Sequence, residues 1–112
     1  MTTRIENILK IFAKKMSELY GDDLVKVVLY GSYARGDNRE NSDIDIMVLV
    51  KASDDIIKEK MNEIYDFAFD IEMDTGIDIS PVVKNEEQYN YWLDTLPYYK
   101  NIQKEGVLLY AG

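Results

Sequence analysis

The sequence has neither cysteine nor histidine in its 112 residues. Without cysteine there are no disulfides and no thiolate metal sites, and a cytoplasmic address is the default expectation. Without histidine the commonest general base and the usual zinc or copper ligand are both missing. Chemistry here must run on carboxylates, hydroxyls and amines, helped by a hard, oxygen-preferring cation. Long apolar runs are also absent. The longest, "IMVLV", is far short of a membrane span, and "MTTRIENILK" at the start lacks a signal-peptide pattern.

Positive charge is scarce as well, with 13 basic residues against 21 acidic and a net charge of -8. Direct binding of DNA or RNA draws its affinity from clustered Lys and Arg, so it is not expected. A substrate rich in phosphate would be repelled unless divalent cations bridged it to the carboxylates. A basic protein partner is compatible with this charge.

What the chain does contain is ordinary for a folded protein, 46% hydrophobic and 30% charged residues, and we expect one domain over 1–112. "TTRIENILKIFAKKMSELYG" reads as an amphipathic helix, with Thr3 and Glu6 as a capping box and Gly21 as the stop. "LVKVVLYG" and "DIDIMVLV" read as strands, separated by the polar "SYARGDNRENS", one helical turn and then a loop. A second long helix runs from Ser53 to Asp74, with Ile57, Met61, Ile64, Ala68 and Ile71 on one stripe. "IDISPVV" is a third strand, Asn85 caps a short helix to about Trp92, Pro97 opens a last helix, and "VLLY" follows as an edge strand. The predicted fold class is α/β (α+β), a short mixed sheet with helices packed on one face.

Two aspartates, Asp43 and Asp45, stand in a run that otherwise reads as a buried strand. Alternation puts them on one face while Ile44 and Ile46 point to the core. Their carboxylates can converge on one ion, or on two ions at the spacing of two-metal phosphoryl-transfer sites. Asp78, between Ile77 and Ile79, repeats the device, and faces the same side if the strands pair. The bland alternative is a one-sided strand whose acids decorate its wet face. A calcium loop in "DNRENSDIDIMV" fails at Ser42 and Val48, where an EF-hand needs Gly and Glu. Gly31–Ser32 shifts the balance. A glycine straight after a strand lets backbone amides approach phosphate without a Cβ in the way, and Ser32 adds a hydroxyl.

Gly31-Ser32, ten residues, then Asp43-Ile44-Asp45 resembles the signature of the nucleotidyltransferase superfamily that includes DNA polymerase β. The fuller "GSYARGDNRENSDIDIMV" is similar to the minimal nucleotidyltransferases, and the "YYKNIQKEGVLLY" tail resembles the end of these stand-alone domains. The resemblance implies that Asp43 and Asp45 bind two Mg²⁺ ions, that Asp78 is the third catalytic carboxylate, and that Gly31 and Ser32 hold the triphosphate of ATP. Arg35 matches the motif arginine, which either touches phosphate or braces the loop; the bland alternative is a pairing with a nearby Asp. The resemblance further implies an antitoxin adding AMP to a tyrosine of a HEPN-domain partner. Contact-only neutralisation of a partner and transfer to a small molecule such as an aminoglycoside are the alternatives. "YNYW" and "PYYKN" can serve a partner surface, stack on a base, or simply pack over the sheet.

Overall fold

The computed structural model describes residues 2–39 and 42–111. Glu40 and Asn41, within the expected polar loop, lie outside the described residues. The first helix, α1 (Thr3–Tyr20), buries Ile5, Ile8, Leu9, Phe12, Ala13 and Met16 at the expected three- and four-residue steps. Its cap is Thr2 rather than Thr3, with the Thr2 hydroxyl accepting from the Ile5 amide at 3.2 Å. Two adjacent threonines offer the same chemistry, so the sequence could not choose between them. Glu6 keeps a place in the first turn, where the helix dipole favours an acid.

The chain then runs β1 (Leu24–Tyr30), α2 (Ser32–Arg35), β2 (Ile44–Val50), α3 (Asp54–Thr75) and β3 (Ile79–Asn85). It closes with α4 (Glu86–Trp92), α5 (Pro97–Glu105) and β4 (Val107–Ala111). The sheet order is β3-β2-β1-β4. Strand β1 is antiparallel to β2 and to β4, whereas β3 is parallel to β2. A parallel neighbour needs a crossover, and α3 supplies it. Ser53 caps that helix through the Ile56 amide, and Asn85 caps α4 through the Glu87 amide. The mixed sheet and its helices match the predicted class.

The "IMVLV" run explains the layering. Ile44, Ile46, Val48 and Val50 join the core under α1 and α3, with Phe12, Met16, Leu29 and Ile64. Met47 and Leu49 point the other way and pack with Val28, Tyr89, Tyr99 and Ile102. The two long helices thus cover one face and the short α4 and α5 cover part of the other, which corrects the expectation of helices on one face only. A strand apolar at both odd and even positions is what a two-sided burial requires. Asp45 interrupts the run on the α5 side, and that interruption locates the site.

Candidate active site

Strand β1 ends at Tyr30, whose register partner on β2 is Asp45. Gly31 turns the chain there with φ 74° and ψ -153°, a conformation open essentially to glycine alone. A Cβ at this position would collide with Asp45 Oδ2. The turn therefore lies flat against the carboxylate. Ser32 opens the single turn of α2, and its carbonyl accepts from the Gly36 and Asp37 amides at 2.9 and 3.1 Å. Gly36, left-handed at φ 82°, ends the turn.

Asp43 and Asp78 both sit one residue before their strands rather than within them, which corrects the expected strand bounds. The ladder nonetheless continues through them, since the Ile44 amide donates to the Asp78 carbonyl at 2.9 Å. Ile44 pairs with Ile79, and both are buried in the α1/α3 core. Alternation then turns Asp43, Asp45 and Asp78 to the opposite, α5 side. Asp43 lies close enough to both of the others for its charge to be felt at each. Burial first, then the charge of Asp43, raises the Asp45 carboxyl above its ordinary value, partly offset by Arg35. Asp78 is raised as well, first by desolvation and then by the charges of Asp43 and Glu72. Among the described residues no three acidic side chains already converge as a ready metal site. An all-oxygen donor set whose members hold each other's protons on is nonetheless the kind that suits a hard divalent cation, so the residues fit Mg²⁺.

Arg35 reaches two acids. Its Nε donates to Asp37 at 3.2 Å and its Nη1 lies 3.7 Å from Glu105. It thereby links the loop after α2 to α5, and both pairs are exposed. Tyr30, Gly31, Arg35 and Asp45 form one wall of a cleft of about 330 Å³, and α5 forms the other. The α5 wall is Tyr98, Asn101, Ile102 and Glu105, a single face at i, i+3, i+4 and i+7. Tyr30 and Glu105 were not singled out from sequence, and Asn101 only as the end of "PYYKN", although that helical spacing could have found the last two.

Residues 9–108 match the family model for a nucleotidyltransferase domain. The chain belongs to the nucleotidyltransferase domain family. It is 30% identical over 105 residues to MJ0604 of Methanocaldococcus jannaschii, provisionally assigned as a protein adenylyltransferase, covering 94% of this chain and 97% of that one. MJ1305 of the same organism, with the same provisional assignment, is 35% identical over 79 residues. That match covers 70% of this chain but only 54% of MJ1305, about half its length. Among solved structures, a provisionally assigned nucleotidyltransferase from Sulfolobus solfataricus superposes with TM-score 0.65 at 21% identity, covering 96% of this chain and 81% of that one. A toxin–antitoxin structure with AMP-PNP superposes with TM-score 0.57 at 22% identity, covering 92% and 73%. These two likenesses show the nucleotidyltransferase fold. Among the described residues no helix is long and apolar enough to cross a membrane.

Proposed function

We propose that this nucleotidyltransferase moves AMP from ATP to a hydroxyl of a protein partner, a tyrosine of a small helical HEPN-type toxin, and so acts as an antitoxin. The observation that carries the reading is the contact between Gly31 and Asp45: a glycine turn fit for phosphate packed directly on a carboxylate fit for metal. The provisional assignment of MJ0604 supports protein as the acceptor, and the toxin–antitoxin fold neighbour supports the partner.

In this reading Gly31 and Ser32 hold the triphosphate tail at the α2 turn, and Asp43, Asp45 and Asp78 hold two Mg²⁺ ions. Bound there, the ions would neutralise the tail and the charge that develops in transfer. The acceptor oxygen forms a bond to the α-phosphorus, the bond from that phosphorus to the bridging oxygen breaks, and pyrophosphate leaves. With no histidine in the chain, the acceptor's proton goes to the Asp78 carboxylate, whose raised affinity for protons suits a base. Arg35 steadies the loop against α5 and places positive charge near Asp45.

The test is incubation of the chain with α-labelled Mg-ATP and the protein of the neighbouring gene. Label on the partner is expected from the native chain and only background from Asp45→Asn. Equal labelling by the variant would refute the assignment. Contact-only neutralisation is the second reading, favoured by Tyr65, Phe69 and Met73, which stand exposed at four-residue steps on α3. An Asp45→Asn chain that still silences the toxin would select it.

A further inference from the structure

The cleft continues past the carboxylates, and its far wall has a chemistry that phosphate and metal do not use. About 330 Å³ is at the low end for small-molecule pockets, room for part of a nucleotide but not for a folded partner. Tyr98 is held in place on that wall. Its hydroxyl shares a 2.9 Å hydrogen bond with the Tyr30 hydroxyl, and its ring is edge-on to Tyr30 and to Tyr99. It remains 44% exposed, so part of the ring is open to a ligand. Asn101 stands one turn further along the same face of α5, also lining the cleft and exposed. Ile102 below them is buried and ties the helix to the sheet.

We propose that Tyr98 and Asn101 form the nucleobase subsite, with the base stacked on the Tyr98 ring and an adenine edge read by the Asn101 amide. This rests on the nucleotidyltransferase reading above and adds to it the residues that select the adenine base. An aromatic face accepts any base, whereas a carboxamide pairs one donor and one acceptor with the amino and ring nitrogens of adenine. The two residues therefore divide the work. Tyr98 supplies affinity common to all nucleotides, and Asn101 supplies discrimination. Glu105, paired with Arg35, closes the end of the same wall toward the α2 loop.

The experiment is calorimetric binding of ATP, GTP, CTP, UTP and inorganic tripolyphosphate to the native chain, Tyr98→Ala, Tyr98→Phe and Asn101→Ala, all with Mg²⁺. The native chain should prefer ATP by about tenfold or more. Asn101→Ala should erase that preference and leave tripolyphosphate unchanged. Tyr98→Ala should weaken all four nucleotides by about tenfold or more while sparing tripolyphosphate, and Tyr98→Phe should retain most of the affinity. An unchanged preference in Asn101→Ala, or an equal loss for ATP and tripolyphosphate in Tyr98→Ala, overturns the subsite and leaves the transferase reading standing. Failure of the native chain to bind any nucleotide or tripolyphosphate overturns both.

Discussion

Replacing Gly31 by alanine probes the joint between the phosphate turn and the carboxylates. At φ 74° and ψ -153° a side chain is strained whatever the space around it, costing about 1–3 kcal/mol. For a domain of this size that corresponds to a Tm lower by about 4–12 °C. The added Cβ must also push Asp45 Oδ2 aside, so the effect should reach the site and not only the fold. Gly36→Ala is the matched control. It too has positive φ, at 82°, but nothing lies within 4 Å of its Cβ position. Its expected cost is about 1–2 kcal/mol of backbone strain alone. Thermal unfolding together with calorimetric Mg-ATP binding separates the two terms. Gly31→Ala should lose binding far beyond its loss of stability, and Gly36→Ala should lose stability with near-native binding. Equal binding losses in the two variants, or native behaviour in Gly31→Ala, would refute the reasoning.

Other outcomes follow from the same structure. Asp45 and Asp78 both hold protons more tightly in the fold than the ordinary carboxyl value of 3.8. Above that pH the native state binds more protons than the unfolded one, so metal-free stability should fall as pH rises through the raised carboxyl range. Metal-free melting should thus be higher at about pH 5 than at about pH 7.5, with Mg²⁺ reducing the difference. The double variant Asp43→Asn/Asp45→Asn should melt higher than the native chain without metal and show a flatter pH profile; a lower melt contradicts the clustered charges. Ile46→Ala, at a fully buried site in β2, should cost about 2–5 kcal/mol in urea unfolding. Ser53→Ala should cost about 0.5–2 kcal/mol by removing the α3 cap, and no measurable change would mean the cap is dispensable.

Most of the architecture could be read from pattern because local chemistry and tertiary packing agree. The stripes of α1 and α3 became buried faces, and Asn85, Pro97 and Gly106 marked ends where ends occur. Element edges were less legible. Asp43 and Asp78 continue the apolar alternation of their strands, so nothing local says that the strands begin one residue later. The two-sided burial of β2 was missed, although "IMVLV" is apolar at odd and even positions alike, because the cover of the second face depends on where α4 and α5 fold back. Within the site, the Gly-Ser turn and the paired aspartates stand out because such residues are costly in a strand without a purpose. The α5 wall stands out less: the aromatics of "PYYKN" allowed base stacking, a partner surface or plain packing alike, and Glu105 is ordinary on a surface helix. Only the return of that helix across the end of β1 gives them a shared cleft. Arg35 was legible as a motif residue, but its partners Asp37 and Glu105 required the third dimension.

The most direct test is a crystal of the chain grown with Mn²⁺ and a non-hydrolysable ATP analogue, read by anomalous scattering. The account predicts two metal peaks bridged by Asp43 and Asp45, one of them also touching Asp78, with the triphosphate lying between them and Ser32. Metal found elsewhere, or Asp78 turned from Asp43 while nucleotide is bound, would contradict it.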